Sequence, residues 1–237
     1  MQLTPRWIKA AALAISLPLA NTAFADQNQA LQSFKAVYAS EFDLGVALKG
    51  ELTRTLTQQA DHTWLMTNRA ETMVASITEN SSLSVDDLMV KPHSYDYKRK
   101  VLGKSKKVHL EFDWDNLTAT DQKDRKVTLT QNTQDKLSYQ LQMRLALANG
   151  EKGPFVYHIA ESGKSKEYTF RVIDKESIET PMGTFNTLKL ELDRGEDSKR
   201  ETFIWFAPEL DYQIVQLKQI EPDGKAYSIQ LKSLELL

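Results

Sequence analysis

Apolar residues recur at every second position through most of this chain, which is the period of a strand with one buried face. Val46, Leu48, Leu52 and Leu56 share a row with Gly50 and Arg54, and together they predict a long strand. After an Asp61-His62 turn, Trp64 and Met66 open its partner. Met73, Ala75 and Ile77 carry the alternation on, and the polar Asn80-Ser81-Ser82 is expected to break it. Residues 83–89 fit no single period, and Pro92 makes its surroundings extended or turning. Val108, Leu110, Phe112 and Trp114 form another clean row. Asp115-Asn116 then turns the chain, residues 121–124 read as a polar hairpin tip, and Val127 and Leu129 follow. Beyond residue 150 the rows return at Phe155, Tyr157 and Ile159, at Tyr168, Phe170 and Val172, and through residues 185–192, 202–206, 212–220 and 226–236. The turns between them carry Gly or Pro, as in Ser162-Gly163-Lys164, Thr180-Pro181-Met182-Gly183 and Glu221-Pro222-Asp223-Gly224.

Residues 132–150 depart from this period. Leu137, Leu141, Leu145 and Ala148 fall on one helical face, and Met143, Ala146 and Leu147 widen it. Only Lys136, Gln140 and Gln142 read as solvated. The spacing predicts a helix over about residues 134–149, with Thr133 or Asp135 accepting from its first amides and Gly150 in the left-handed position after its end. A helix apolar over so much of its circumference has to be enclosed rather than merely docked. About a dozen strands around one helix predict a mainly β fold. The expected architecture is a large curved antiparallel sheet, a half-barrel or incomplete barrel, wrapped around that central helix.

The first residues belong to another pattern. Arg6 and Lys9 precede a short apolar run, and Ala23-Phe24-Ala25 is an A-x-A cleavage site, so residues 1–25 read as a secretory signal peptide cut after Ala25. The apolar run is too short to span about 30 Å of hydrocarbon, and no later stretch reads as a transmembrane segment. Residues 26–237 are then expected to form a single β-rich domain in the periplasm. Loss of Arg6 and Lys9 leaves 28 Lys and Arg against 32 Asp and Glu, moving the net charge from −2 to −4. That balance is too small and too mixed to imply a nucleic-acid groove or a strong anionic-membrane footprint. The chain has no cysteine, so its stability has to come from the core alone.

Chemistry is thinly signalled. His62, His93, His109 and His158 make no metal-ligand spacing, and no cofactor is expected. Ser162-Gly163-Lys164-Ser165 lacks the first glycine of a phosphate-binding loop and sits in a hairpin turn. There is no G-x-S-x-G elbow, and Asp86-Asp87, Asp113 with Asp115 and Glu196-Asp197 read as solvated turn acids, so no catalytic residue is assigned. Three features remain. Arg144 interrupts the apolar helix face and needs either an internal carboxylate or a ligand's acidic group. Trp64, Tyr95, Tyr97, Trp114, Tyr168, Phe170, Phe203 and Trp205 stand in strand rows, where they can be core or can line a cavity. Lys98, Arg99, Lys100, Lys104, Lys106 and Lys107 form a basic run fit either for a partner or for a solvated hairpin that resists edge pairing.

Four segments carry a family resemblance: Phe112-Asp113-Trp114, Gln134-Asp135-Lys136-Leu137-Ser138, Ile178-Glu179-Thr180-Pro181-Met182-Gly183-Thr184-Phe185 and Trp205-Phe206-Ala207-Pro208. Together they resemble a bacterial exported family known as domain of unknown function 3108, from about Phe34 to the C-terminus. That resemblance implies no catalytic residues. More loosely, a curled sheet on a helix is similar in architecture to periplasmic carriers of the lipoprotein-localisation (Lol) type, which implies nothing about function by itself. The resulting expectation is a non-enzymatic periplasmic protein binding a hydrophobic or amphipathic ligand, a lipid or acyl chain, between sheet and helix. Arg144 would be its anchor, with Leu141, Leu145 and the aromatic rows as its walls. The alternative is a cell-envelope scaffold or protein-interaction module with a filled core and the basic run as its contact surface. An enzyme with an unadvertised site ranks third. The partner of Arg144 separates the first two: an internal carboxylate makes the helix a plug, and an open cavity makes it the floor of a site.

Overall fold

Antiparallel pairing between neighbours in sequence accounts for nearly all of this molecule. The computed structural model describes residues 31–43, 47–72, 75–101 and 103–237, and the expected signal peptide over residues 1–25, Val46 and Met73 lie outside them. The described strands are β1 (Phe34–Asp43), β2 (Ala47–Gln58), β3 (Trp64–Glu71), β4 (Ala75–Asp86), β5 (Met89–Val101), β6 (Lys104–Asp113), β7 (Thr118–Asp121), β8 (Lys126–Thr128) and β9 (Thr133–Gln134). The helix α1 (Ser138–Ala148) follows, then β10 (Phe155–Glu161), β11 (Lys164–Thr180), β12 (Gly183–Asp193), β13 (Glu201–Ala207), β14 (Gln213–Ile220) and β15 (Ala226–Leu236). All fifteen strands join one open, curved sheet in the order β8-β7-β6-β5-β4-β3-β2-β1-β15-β14-β13-β12-β11-β10-β9.

Two meanders are thus stitched together where β1 meets β15, from Phe34 opposite Leu236 to Asp43 opposite Ala226. The outer edges, β8 and β9, are consecutive in the chain, so residues 129–132 cross the seam covalently. Beside them the β10–β11 turn packs on Arg125. A Cβ added at Gly163 would sit 3.1 Å from the Cβ and Cδ of Arg125, and Gly163 has φ +71°, so both space and backbone demand glycine there. Bulges at Val37/Tyr38, Ser82/Leu83, Val172/Asp174 and Trp205/Phe206 add local bending to the sheet.

The helix is enclosed, with every residue from Ser138 to Leu147 buried. Leu137, Leu141, Met143 and Leu147 are 0–2% exposed, and each contributes about 1.5–3 kcal/mol of hydrophobic burial. It starts later than the apolar spacing suggests, at Ser138 rather than near residue 134, because Thr133–Gln134 pairs in parallel with His158 and Ile159 of β10. Asp135 is the cap. Its Oδ1 accepts from the Leu137 and Ser138 amides at 2.7 Å each, and Ser138 Oγ accepts from the Asp135 amide at 2.9 Å, a reciprocal capping box. At the other end Gly150 (φ +84°) donates to Leu147 O and Glu151 to Ala146 O, both 3.0 Å, closing a Schellman motif.

Several expectations need correction. Asn80, Ser81 and Ser82 do not break a strand; they lie within β4, where Ser81 faces the core. Gln140 and Gln142 are each 8% exposed rather than solvated. Gln140 accepts from the buried Arg54, and Gln142 is drawn in because β6 pairs with β5 only from Ser94 upward, which leaves the lower edge of β5 without a strand partner. Gln142 Oε1 accepts from Val90 N (2.7 Å) and its Nε2 donates to Leu88 O (3.0 Å). Gln134 Nε2 donates to Val90 O and Trp114 Nε1 to Pro92 O, each at 2.7 Å. Side chains thus stand in for the missing strand, as buried backbone groups require.

Candidate functional site

The helix occupies one half of the space inside the curved sheet. Call the lower end that of the β2–β3 and β4–β5 turns. There the inner rows are closed: Phe34, Ala36, Tyr38, Leu56, Met66, Leu83 and Val90 are all at or below 2% exposure. Towards the upper end, several inner positions on β3 to β6, β14 and β15 are only half-buried, namely Ala70, Ile77, Tyr97, Val108, Leu217 and Tyr227, while Ser40, Leu52, Leu192 and Thr202 stay buried. The helix N-terminus points at this upper half, and Tyr168, also half-buried, leans there on Tyr139 with ring centroids 6.0 Å apart.

Between the two halves runs a polar layer. Arg54, Asn68 and Glu79 are in register across β2, β3 and β4. Arg54 Nε donates to Asn68 Oδ1 (2.8 Å) and its Nη2 to Gln140 Oε1 (2.9 Å), which ties the sheet to the helix. Asn68 Nδ2 donates to Glu79 Oε2 (3.2 Å), and the Tyr95 hydroxyl donates to Glu79 Oε1 (2.5 Å). Next to it Ser81 Oγ donates to Asp135 Oδ2 (2.5 Å). Burial pushes the Glu79 carboxyl up, although Tyr95, Asn68 and Arg54 pull the other way. Burial also pushes Asp135 up to about 6 against the opposing hydrogen bonds from Ser81, Ser138 and Leu137, and the nearby Glu79 charge adds to the rise. Tyr95 is raised by burial and then by Glu79, and Tyr227 by burial, with Arg54 opposing. This hydrogen-bonded, acid-bearing layer borders the half-buried inner positions of the upper end, and Tyr97 stands directly opposite Glu79.

The sequence-predicted residues disperse. Arg144 meets an internal carboxylate at the lower end: Nη2 lies 2.6 Å from Asp211 Oδ2, Nε donates to Asp211 O at 2.9 Å, and the guanidinium sits 5.3 Å from the Phe34 ring centroid. Burial lowers its pKa and Asp211 opposes the shift. Leu141 and Leu145 are core, as is Phe170, which stacks on Tyr139 at 5.4 Å. Trp64 closes the lower end and Trp114 caps the β5 edge. Trp205 is on the outer face, because Ile204 and Phe206 on either side of it belong to the core. The distal part of the β11–β12 hairpin covers it there. Glu176 accepts from Trp205 Nε1 (2.7 Å), and Lys189 sits 5.0 Å from the Phe203 and 5.2 Å from the Trp205 ring centroids. The hairpin tip is pinned by Met182 N donating to Leu231 O (3.1 Å), beside the β1–β15 bulge. Tyr95 joins the polar layer, and only Tyr97 and Tyr168 face the upper chamber.

Ile77, Val108, Leu217 and Tyr227 escaped sequence reasoning as site residues, since nothing in a strand row tells its open end from its closed one. A separate cavity of about 240 Å³ lies at the lower seam between Gln134, Gln142 and Ala146 and the Phe155–Tyr157 stretch, and none of the predicted ligand residues lines it. His109 is on the outer face between Asp96 (3.1 Å) and Glu111 (2.9 Å), and His158 is also on the outer face, between the inward Tyr157 and Ile159 of β10. Among the described residues no cluster of three His, Asp or Glu side chains is arranged to hold a metal ion. The basic run forms the tip of the β5–β6 hairpin at the upper end, with all six cations exposed.

Residues 36–232 match the family described as Protein of unknown function (DUF3108), and the chain belongs to that family. Among curated proteins no sequence matches it. In fold it is similar to a Brucella abortus protein described as a beta-barrel-like protein of domain of unknown function DUF1849. That similarity has a TM-score of 0.55 at 11% identity, over 87% of this chain and 98% of the other. A DUF1329 family protein from Desulfovibrio piger aligns at TM-score 0.34 and 9% identity, over 89% of this chain and 88% of the other. A Vibrio parahaemolyticus domain described as outer membrane lipoprotein-sorting aligns at 0.24 and 9%, over 89% and 87%.

Proposed function

We propose that this member of the DUF3108 family is exported to the periplasm with cleavage after Ala25, and that it binds a hydrophobic or amphipathic ligand such as a lipid or acyl chain. The observation that carries this reading is the set of half-buried inner positions at the upper end, Ile77, Tyr97, Val108 and Leu217, beside a polar layer that is already hydrogen-bonded. Apolar side chains left facing water inside a barrel mouth are what a small apolar ligand covers on binding. The site lies above the helix, not beside Arg144, whose charge Asp211 already meets. In that sense the helix is plug and floor at once: its C-terminal part fills the lower half, and its N-terminus borders the upper one. The protein acts as a carrier or holder and assigns no residue to catalysis.

Native mass spectrometry of protein drawn from the periplasm should show bound lipid, and an environment-sensitive fluorescent acyl probe should bind the delipidated protein. Val108→Trp, which adds bulk at a half-buried inner position, should abolish probe uptake while leaving the melting temperature nearly unchanged. Protein that carries no lipid and binds no probe sinks the reading. It would leave the second one, an envelope interaction module with a filled core, which the internal Arg144–Asp211 pair favours.

A further inference from the structure

The β5–β6 hairpin carries a charge arrangement that the fold itself does not need. Lys98 lies directly opposite Lys107, and Arg99 directly opposite Lys106, so two cross-strand pairs set like charge against like charge. Such pairs destabilise a hairpin. The neighbours on β4 offer no relief: Lys98, Arg99 and Lys100 stand opposite Thr78, Ile77 and Ser76. Residues 98–107 contain no acid, and none of the six cations forms an ion pair among the described residues. Protection of a free edge accounts for part of this. β7 reaches β6 only from Leu110 to Asp113, which leaves Lys104–Val108 an unpaired edge where lysines discourage strand addition. It does not account for Lys98, Arg99 and Lys100, because β5 is paired on both sides there.

The whole chain carries a net charge of −2, so the hairpin is a local basic surface on an otherwise mildly acidic molecule. Its position decides what that surface meets. The register places Arg99, Lys104 and Lys106 on the same side of the hairpin as Tyr97 and Val108, and therefore at the mouth of the upper chamber. We propose that this hairpin docks the protein onto the surface of a bilayer containing anionic phospholipid, bringing the chamber mouth against the headgroups. A lipid surface fits better than an acidic protein because it suits both halves of what the hairpin presents, exposed cations at the tip and half-buried apolar groups just below. The inference needs only the hairpin and stands whether or not the chamber holds a ligand.

The test is co-sedimentation of the full protein with vesicles of pure phosphatidylcholine and with vesicles in which one third of the lipid is phosphatidylglycerol. Binding should appear only with the anionic vesicles and fade as salt rises. Each cation near such a surface is worth about a factor of five in affinity, so a Lys98→Gln, Arg99→Gln, Lys100→Gln variant should bind roughly a hundredfold more weakly. Relief of the like-charge pairs should leave its melting temperature equal or higher, which excludes misfolding as the cause. Equal binding to both vesicle types, an unchanged variant, or preference for soluble polyglutamate over anionic vesicles at matched ionic strength overturns the proposal. Acyl-probe uptake measured without vesicles separates the two readings. A protein that takes up probe but ignores anionic vesicles refutes the docking alone, and the reverse result refutes the ligand alone.

Discussion

Asp135 sets the helix in place and does so at a cost that can be measured. Its side chain is fully buried, caps the helix through two backbone amides and accepts from Ser81, yet its carboxyl is pushed from 3.8 up to about 6. A carboxyl raised by that much penalises the folded state by about 3 kcal/mol once it is ionised in both states. The folded protein holds the proton more tightly than the unfolded chain. The penalty is therefore absent below pH 3.8, grows as pH rises through the window up to about 6, and is complete above it. Asp135→Asn reproduces the protonated shape: the amide oxygen still accepts from Leu137 and Ser138, and the amide nitrogen faces Ser81 Oγ. The variant should be more stable than the parent by about 1–3 kcal/mol near neutral pH, a rise of roughly 2–4 °C in melting temperature per kcal/mol. Below the window the two should coincide. Urea unfolding followed by tryptophan fluorescence across the acid and neutral range reads this directly. If Asp135→Asn is less stable than the parent at neutral pH, or keeps the parent's slope across the window, the desolvation argument is wrong. Asp135→Ala is the control, since it loses both caps and should be weaker at every pH.

Other perturbations have equally definite outcomes. Asp211→Ala leaves the Arg144 guanidinium buried without its carboxylate and should cost about 1.5–3 kcal/mol, the lower part of the range being expected because Asp211 is 42% exposed. Arg144→Met should cost less, because Asp211 can turn to water, and chemical denaturation of both variants tests the asymmetry. Gln142→Leu strands Val90 N and Leu88 O and should cost about 1–3 kcal/mol for each, with faster hydrogen exchange confined to the lower part of β5. Leu141→Ala should cost about 2–5 kcal/mol by opening a hole in the core, without affecting acyl-probe uptake in the upper chamber.

Much of this fold could be read from the residues, and the places where it could not share a cause. The strand rows, the enclosed helix and the curled sheet follow from period and composition, because alternation reports burial on one face. Gln140 and Gln142 defeat the pattern because polarity in a helix ordinarily means water, whereas here Gln140 meets the buried Arg54 and Gln142 meets backbone groups of β5 and its turn that β6 leaves unpaired. Trp205 was misplaced because two strand faces look alike in sequence when the outer one is also covered, here by the β11–β12 hairpin. Arg144 was correctly singled out as needing a counter-charge, but Asp211 sits in a turn 67 residues away, with a left-handed φ of +51°, and no local pattern links the two. The Arg54–Asn68–Glu79 layer is a tertiary product of register. Each member reads alone as an ordinary polar strand residue.

The stitch between β1 and β15 has a temporal consequence. Each meander can form from hairpins between near neighbours in sequence, but Phe34 must find Leu236 across almost the entire described chain, and closing so long a loop is slow. The helix contacts β5 in one meander and β10 in the other, so it can organise both before they meet. The join should therefore be the last event of folding. Pulse-labelled exchange during refolding should find amides of β1 and β15 protected after those of β4–β5 and β11–β12, and simultaneous protection would argue for a single concerted collapse. Until that moment β1 and β15 each leave one edge unpaired and available to other chains, and the interval before stitching is when this protein is most exposed to misassembly.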